Sequence, residues 1–439
     1  MSSPHLTASL QGFNIGLIMT ELSPDQKGAA SLTLGEVIVQ TRTNFPDPRF
    51  HPIVLSESGQ SHRYGIDTQG FTSWLNADGI GTKPEFAERL FSEDGDPSHF
   101  ETLAFDTFAM IESDVARNGQ ILLGIAHIID TNTAENADVI SALARGTKKA
   151  CDEGRFPLLN GETAELGYRS SGYGRTRVNW NAVGLSITVP NKFISGERLK
   201  PGQPIVALRE TSLRSNGLTK ARKILETNYV YRRGFPTLEE YTMDVLSEFV
   251  AECTGKYNFQ LPRSLTMDFF NHLLGHNFFE QVLIPWHKDF PEVAEEILKP
   301  STLYGKLIYE AQGGVYKDKL VDITGAAHIS GGGVPEKGKR MVEDQGLGLH
   351  IHSPFPDPKG VKMLMNLARG LPDKGRKLID ERSAYQQWNR GIGFMVATST
   401  LADADTFVKL AGDMGYEAAM AGEVVEAQVI ALNNYVWRY

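Results

Sequence analysis

The sequence predicts a mixed α/β (α+β) protein made of two domains, and three observations support this class. The chain has 439 residues, which is too long for one small hydrophobic core. Helical and strand-like patterns alternate between residues 98 and 165, as is typical of α/β construction. A further strand-rich stretch over 179–189 ends at Pro190, so we place the domain boundary there and expect domains 1–189 and 190–439.

Composition narrows the class of protein. Hydrophobic residues make up 41% of the chain and charged residues 22%, as in globular proteins. The net charge is −9, with no basic block, so nucleic acid is not expected as a partner, whereas small phosphorylated ligands are compatible. Cys151 and Cys253 give neither a disulfide framework nor a metal-ligand spacing. The first ten residues do not resemble a signal peptide and no apolar run could span a membrane, so we expect a cytoplasmic protein.

The first informative element is a candidate phosphate loop, NADGIGTK over residues 76–83, which follows a predicted strand over 71–75. Gly79 and Gly81 let the backbone turn sharply and bring N–H groups close to a phosphate. Asp78 offers a carboxylate for Mg²⁺, and Lys83 offers a positive charge. A solvated Asp-Gly turn before a surface lysine would have the same residues, so the run alone does not distinguish a phosphate loop from a surface turn.

A helix and an apolar strand come next. Ser98 is the predicted N-cap of the helix, apolar residues then recur with a helical period, and Gly119 ends it. The continuous apolar run over 121–129 predicts a strand that is buried on both faces. Asp130 closes this strand, where it is equally suited to cap a turn or to bind a metal.

The first half ends with a second helix and two more strands. This helix runs from about Val139 to Gly154. A short strand over 156–159 then leads into NGETAE, residues 160–165, which we expect to form a loop leaving a central strand. The strand-rich stretch over 179–189 follows. Acidic residues therefore gather at the ends of elements, where ligands usually bind.

The second half begins with a strand over 204–208, a turn over 213–217 and a helix from about Leu218 to Leu225. Residues 227–297 read as an added helical region, in which Thr237 and Glu240 form a possible capping box. Two glycine-rich turns follow, AHISGGG over 327–333 and NRGIGF over 389–394.

Together these motifs resemble the phosphoribosylformylglycinamidine cyclo-ligase family, also called the AIR synthetases, of purine biosynthesis. The resemblance covers roughly residues 65 to 430, and its motifs occur in the family order. They are DGIGTK (78–83), TLAFDTFAMIESD (102–114), NGETAE (160–165), SNG (215–217), AHISGGG (327–333) and NRGIG (389–393).

The resemblance implies a fold of two α/β halves, in which the N-terminal half pairs its sheet with that of a second subunit to form a homodimer. It places the ATP site near that interface. It also implies an ATP- and Mg²⁺-dependent ring closure, in which formylglycinamidine ribonucleotide becomes aminoimidazole ribonucleotide and ADP and phosphate are released.

The resemblance also implies residue roles. Catalysis would involve Asp78, Lys83, Asp114 and Arg214, and the Mg²⁺ ligands would be Asp78, Asp114 and Glu162. Residues that would bind ATP are Gly79, Gly81, Thr82, Lys83, Asp130, Gly161, Glu162 and Thr163. Residues that would bind the phosphorylated ribonucleotide substrate are Arg214, Ser215, Asn216, Gly217, Gly331, Gly332 and Gly333.

Three departures from the family pattern make this a divergent member. Arg214 stands where most relatives have histidine, and arginine cannot act as a base near neutral pH. Ser113 stands where asparagine is expected, with Glu112 beside it. The glycine-rich loop usual before the Asp-Gly run is missing from residues 47–64.

Other interpretations stay open. Asp114 would read as a solvated helix residue without the family match, His328 suits a strand end as well as a substrate contact, and His272 and His276 read as structural rather than metal-binding. A thiamine-monophosphate kinase-like enzyme would keep the same acidic site. A non-catalytic nucleotide-binding or scaffold protein would explain Arg214 and the missing loop.

Overall fold

The computed structural model describes residues 52–56, 63–67, 71–133, 136–170, 172–238, 240–241, 244–245, 284–369, 371–373 and 376–439. In this part of the chain, two large β-sheets are flanked by helices. The described helices are all too short or too polar to cross a membrane. The mixed α/β class predicted from the sequence is confirmed, while the domain boundary near residue 190 stays a prediction.

The first sheet of the described chain has six strands in the order β1-β2-β3-β6-β4-β5. Neighbouring strands are antiparallel except β4 and β5, which run parallel. The strands are β1 (Pro52–Ser56), β2 (Arg63–Asp67), β3 (Thr72–Gly79), β4 (Ile121–Thr131), β5 (Leu158–Glu165) and β6 (Val178–Thr188). The strand predicted over 71–75 is therefore longer than expected and includes Asp78.

One face of this sheet is covered by α1 (Lys83–Asp94), α2 (Leu103–Ala116) and α3 (Ala137–Gly154). Phe108 of α2 packs edge to face on Trp180 of β6, with ring centroids 5.8 Å apart. The helix predicted from Ser98 begins later, at Leu103. The reason is that the Asp96 side chain accepts a hydrogen bond from the Ser98 N–H at 2.9 Å, which closes a separate 3₁₀ turn, Pro97–Phe100.

The other face of the first sheet is exposed and apolar. Leu75 is 71% exposed, and Ile128 and Val183 are about half and one third exposed on neighbouring strands. The prediction that β4 is buried on both faces is therefore wrong for the single chain. Its apolar residues instead divide between the core and this outer face, since successive side chains of a strand point to opposite sides.

The second half adds α4 (Leu218–Arg232), α5 (Pro291–Leu298), α6 (Gly305–Ala311), α7 (Gly333–Val342), α8 (Lys359–Ala368), α9 (Glu381–Gln387) and α10 (Leu401–Asp413). Its described sheet has seven strands in the order β15-β14-β9-β13-β7-β12-β8. They are β7 (Pro204–Arg209), β8 (Ile323–His328), β9 (Gly348–Ile351), β12 (Ile392–Thr398), β13 (Ala418–Val425), β14 (Val429–Leu432) and β15 (Tyr435–Arg438), and a short hairpin joins β10 (Pro372–Asp373) to β11 (Arg376–Lys377).

The hydrophobic core of the first half does not stop at the first sheet. Helix α5 packs against α1 and α8, α8 packs against α4, and α6 packs against α2, so that Leu225, Ile297 and Val361 share one buried cluster with Phe86 and Phe108. The helix α2 is therefore enclosed between the first sheet and the second half of the chain. This placement brings residues from distant parts of the sequence to one side of α2.

The predicted helical region 227–297 is described only at its two ends. Helix α4 continues to Arg232, beyond the predicted end near Leu225. The Glu240 N–H donates to the Thr237 hydroxyl at 3.1 Å, which is one half of the predicted capping box. His272, His276 and Cys253 lie outside the described residues.

Candidate functional site

The site is built around one side of α2. Asp106, Met110 and Asp114 are spaced by four residues, so they lie along one face of this helix. Met110 receives a weak hydrogen bond from the Asn216 amide at 3.6 Å, and the Ser215 hydroxyl donates to the Asp106 carbonyl at 3.4 Å. The SNG run therefore lies directly against this face of α2.

Two further predicted runs reach the same place. A Cβ atom on Gly81 would lie 3.6 Å from the Ser215 carbonyl oxygen, and one on Gly331 would lie 3.3 Å from the Asn216 side-chain oxygen. The hydroxyl groups of Thr82 and Thr219 are 3.4 Å apart. The loop after β3, the SNG run and the glycine run before α7 therefore converge on α2, as the motif order suggested.

The backbone at this convergence requires glycine at two positions. Gly217 has φ +70°, and a Cβ there would lie 2.5 Å from the Gln387 carbonyl oxygen. Gly333 has φ +61°, and its Cβ would collide with the Tyr385 carbonyl. A side chain at either position would force the loops apart, so these glycines shape the site whether or not they contact a ligand.

Two carboxylates lie near each other at the convergence. Asp78 ends β3 on its helix-facing side, and its carboxylate accepts a hydrogen bond from the Gly79 N–H at 2.7 Å. The pKa of Asp78 is raised, first because protein atoms displace water from the carboxylate and then because the negative charge of Asp114 lies near. Asp114 accepts a hydrogen bond from His328 Nδ1 at 2.9 Å and forms an ion pair with Arg117, whose Nε lies 3.2 Å from the same carboxylate oxygen.

The pair of Asp78 and Asp114 fits a magnesium ion that also binds phosphate oxygens. Mg²⁺ prefers oxygen ligands and is commonly held by one or two carboxylates together with substrate phosphates and water. The mutual repulsion that raises the pKa of Asp78 would be relieved by a divalent cation.

Glu162 does not join these two carboxylates in one chain. In the strand register, Asp78 lies in a row with Ala182, whereas Glu162 lies in the next row with Ile128, on the opposite face. Three strand spacings, about 14 Å, also separate β3 from β5. Within the described ranges, no group of three or more His, Cys, Asp or Glu side chains could hold a metal. Within one chain the structure therefore does not bring Glu162 together with Asp78 and Asp114, and the predicted set of three ligands stays a prediction.

The other residues predicted to bind ATP also divide between two places. Gly161, Glu162 and Thr163 belong to β5 at the sheet edge, not to a loop, because this segment continues the parallel pairing with β4. Asp130 lies on β4 and shares the exposed face with Glu162. Gly79, Gly81 and Thr82 lie at the convergence on α2, as described above.

Lys83 is not presented to the loop. Its side chain is fully buried, and its ammonium donates to Asp106 at 2.6 Å and to the Lys299 carbonyl at 2.8 Å. The Ser301 hydroxyl also donates to Asp106, at 2.5 Å. In this arrangement Lys83 joins α1 to α2 and to the segment after α5, so a phosphate contact by Lys83 would require it to leave Asp106.

Arg214 is also fully buried, and protein atoms engage both of its terminal nitrogens, whereas its Nε has no hydrogen-bond partner among the described residues. Nη1 donates to Glu210 at 2.7 Å and to the Thr302 carbonyl at 3.1 Å, and Nη2 lies 3.0 Å from His328 Nε2. Its backbone has φ +59°, which is rare for a residue with a side chain. The predicted direct contact of Arg214 with substrate is therefore not supported, because its guanidinium points into this network and away from solvent.

Two of the departures from the family pattern touch each other. Arg214 Nη2 donates to the Ser113 hydroxyl at 3.3 Å, and that hydroxyl donates to Glu112 at 3.0 Å. Burial raises the pKa of Glu112 to about 7, while the backbone N–H groups of Gly305 and Tyr304, the Ser113 hydroxyl and the charge of Arg214 all oppose this rise. The residues that differ from the expected pattern thus form one buried network.

His328 links this network to the acid pair. Arginine only donates hydrogen bonds, so the Nε2 atom of His328 accepts from Arg214 and the proton resides on Nδ1, which donates to Asp114. Burial and the charge of Arg214 lower the pKa of His328 to about 4. The sequence placed His328 before a glycine run but gave no indication of this contact, since it joins residues 214 positions apart.

Lys337 is a site residue that the sequence pattern did not single out. It lies on α7, and its pKa is lowered, chiefly by burial, while the charges of Asp114 and Asp78 oppose this shift. Among the described residues, no hydrogen bond or ion pair engages its ammonium, whereas the neighbouring Lys339 pairs with Glu343 at 3.5 Å. The sequence feature that could have pointed to Lys337 is its position, within one and a half helical turns after the triple glycine.

Comparisons with known proteins match two parts of the chain to one family. Residues 66–185 match the N-terminal domain of the AIR synthase related proteins, and residues 275–433 match their C-terminal domain. This confirms the resemblance inferred from the ordered motifs.

Individual relatives are distant but cover most of the chain. The phosphoribosylformylglycinamidine cyclo-ligase of Lysinibacillus sphaericus is 24% identical over 361 residues, which covers 81% of each chain. The cyclo-ligase of Carboxydothermus hydrogenoformans is 24% identical over 417 residues, which covers 93% of this chain and 98% of that protein. A solved thiamine-monophosphate kinase from Stenotrophomonas maltophilia has a TM-score of 0.47 at 11% identity, over 90% of this chain and 94% of that one.

Proposed function

Because the chain belongs to the family of AIR synthase related proteins, we propose that it is an ATP-dependent cyclo-ligase that converts formylglycinamidine ribonucleotide into aminoimidazole ribonucleotide. The relatives named for this reaction align with most of the chain. The observation that carries the proposal is the acid pair of Asp78 and Asp114, which lies where three glycine-containing loops converge.

The reaction would proceed by phosphoryl transfer and ring closure. The γ-phosphoryl group of ATP would be transferred to the amide oxygen of the substrate with release of ADP, which makes this oxygen a good leaving group from the amide carbon. An internal nitrogen of the substrate then attacks the same carbon, the imidazole ring closes and phosphate leaves. Such chemistry needs positioned donors and cations far more than a nucleophilic side chain.

The residues of the site have distinct parts in this scheme. Asp78 and Asp114 would hold Mg²⁺, which neutralises charge on the phosphate oxygens. The backbone of Gly79, Gly81 and Thr82 would contact phosphates of ATP. The SNG run and Gly331, Gly332 and Gly333 would enclose the ribonucleotide. Lys337 would supply the positive charge that Lys83, buried against Asp106, does not present.

We further propose that the protein is a homodimer through the exposed face of the first sheet. This face presents Leu75, Val183 and Ile128 on three adjacent strands, each two residues further along the register than the last, and such a patch on a soluble protein commonly marks an interface. Asp130 and Glu162 lie on the same face. A second copy that covers it would bring these two residues to the interface, on the face of the sheet opposite Asp78.

The decisive experiment measures ADP and phosphate release from ATP and Mg²⁺ with formylglycinamidine ribonucleotide, for the wild type and Asp114→Asn. We expect the wild type to turn over ATP only when the substrate is present. Asp114→Asn should lower this turnover by more than the roughly 10- to 100-fold loss that is usual when an outer-shell partner of a metal ligand is removed. The matched control is Asp152→Asn on the exposed surface of α3, where the same change removes only an ion pair with Lys148.

Other outcomes would redirect the proposal. If ATP binds but this substrate does not turn over, the reaction is reassigned to another acceptor, and thiamine monophosphate is the first to try. If thermal stability does not rise with ATP and Mg²⁺, the non-catalytic interpretation replaces the enzyme, because a ligand that binds the native state must stabilise it.

A further inference from the structure

The orientation of Asp114 depends on a chain of contacts that begins well away from the metal site. His328 Nδ1 and Arg117 Nε both approach the same carboxylate oxygen of Asp114, at 2.9 and 3.2 Å. Of these two partners, Arg117 lies on the surface side and is partly exposed, whereas His328 is almost completely buried. The buried contact therefore fixes the carboxylate more firmly than the exposed one.

The contact between His328 and Asp114 works in only one tautomer. If the proton were on Nε2, the lone pair of Nδ1 would face the carboxylate and the two would repel each other. Arg214 excludes that tautomer, because its Nη2 lies 3.0 Å from Nε2 and can only donate. The guanidinium therefore sets the direction of both hydrogen bonds of the imidazole.

Arg214 is itself held rigidly. Glu210 and the Thr302 carbonyl engage one terminal nitrogen, Ser113 engages the other, and the ring of Tyr304 lies 5.5 Å from the guanidinium carbon. Its side chain is about 1% exposed, which leaves no surface for a substrate. An arginine in this position can orient a neighbouring side chain, but it cannot reach a ligand.

We infer that Arg214 is a positioning residue, which holds Asp114 in place as a metal ligand by fixing the tautomer of His328. In this chain it replaces a family histidine without taking over any proton transfer. Ser113 belongs to the same unit because it anchors the guanidinium from α2. This inference rests on the proposed function only in assigning a divalent cation to Asp114.

The test uses two substitutions of His328 that separate its two nitrogens. His328→Asn places its amide N–H near the position of Nδ1 and can still donate to Asp114. His328→Gln reaches the position of Nε2 and can meet Arg214, but it loses the Asp114 contact. Mn²⁺ serves as the probe, and its binding to the full-length protein with ATP is measured by electron paramagnetic resonance.

We expect His328→Gln to weaken Mn²⁺ binding roughly 10- to 100-fold, as is usual when an outer-shell partner of a metal ligand is lost. His328→Asn should bind Mn²⁺ nearly as well as the wild type. Arg214→Lys, which keeps a charge beside Glu210, should weaken Mn²⁺ binding in the wild-type background but not in the His328→Asn background, where no tautomer has to be chosen.

Each result decides the inference. Equal Mn²⁺ affinities for the two His328 variants would overturn it. Weaker Mn²⁺ binding caused by Arg214→Lys in the His328→Asn background would also overturn it, because the role of Arg214 would then be merely structural. Absence of Mn²⁺ binding by the wild type would also overturn it. If the expected pattern appears without turnover of formylglycinamidine ribonucleotide, the positioning role stands and only the proposed reaction fails.

Discussion

The ammonium of Lys83 and the carboxylate of Asp106 meet at 2.6 Å in a place that solvent does not reach. Replacing Lys83 by methionine leaves Asp106 buried and uncompensated, so we expect the free energy of unfolding to fall by about 3–5 kcal/mol. Urea denaturation measures this change. The double variant Lys83→Met/Asp106→Leu should recover most of the loss, and a double variant as unstable as the single one would contradict the explanation.

A second prediction concerns Lys337. Lys337→Met should raise the KM for ATP roughly 10- to 100-fold, because a charge-assisted contact with phosphate is worth about 1.5–3 kcal/mol. Lys339→Met on the same helix is the control, since Lys339 is already paired with Glu343. Equal KM values for ATP in the two variants would show that Lys337 does not contact ATP.

These two lysines show where sequence reasoning reaches its limit at single residues. The spacing of Lys83 after Gly79 and Gly81 made it the obvious phosphate ligand. The direction of the Lys83 side chain is instead set by Asp106 and by the Lys299 carbonyl, which lie 23 and 216 positions away in the sequence. No local pattern contains that information, whereas the acid pair of Asp78 and Asp114 was predicted because each residue belongs to a recognisable motif.

At the scale of elements, the segment just before α5 docks onto α1 through a buried histidine. His287 lies in the 3₁₀ turn Trp286–Lys288 and contacts Glu93 of α1 at 3.1 Å. Trp286 packs on Phe86, with ring centroids 5.2 Å apart. Burial lowers the pKa of His287 to about 4, and the charge of Arg89 adds to this effect.

This pKa predicts an acid-sensitive docking of the segment. The folded state holds His287 neutral, whereas the unfolded chain takes up a proton near its ordinary pKa of about 6.5. Stability is therefore fully present above that pH and is lost as the pH falls towards 4, by up to about 3 kcal/mol. Urea unfolding at pH 7 and pH 4.5 should show a smaller difference for His287→Gln than for the wild type. If the free energy of unfolding changes between pH 7 and pH 4.5 by the same amount in His287→Gln as in the wild type, the acid sensitivity comes from other groups.

The elements were predicted with uneven success for a physical reason. Strands and helices with a clear period, such as β6, β7 and α3, were expected within a few residues of where they lie. The run over 160–165 was expected as a loop because it contains glycine and acidic residues. Pairing with β4 makes it a strand, and this pairing joins segments more than thirty residues apart, which local propensity does not reveal.

At the scale of the whole molecule, the exposed face of the first sheet governs assembly. Leu75→Glu should convert the proposed dimer into monomers, because it places a charge within an apolar interface. Size-exclusion chromatography with light scattering measures the mass. Leu320→Glu is the control, because Leu320 is similarly exposed but lies in the second half of the chain. A wild type that runs as a monomer at every concentration would contradict the dimer.

The contact between Arg214 and Ser113 has a consequence for the history of this chain. Relative to the family pattern, one position has gained bulk and the other has lost it, and cores tolerate exchanges that conserve volume best. A lineage that acquired arginine first would have crowded it against asparagine, and one that acquired serine first would have left a gap beside histidine. The two codons are therefore expected to have changed within a short interval, and sequences that hold only one of the two substitutions should be scarce.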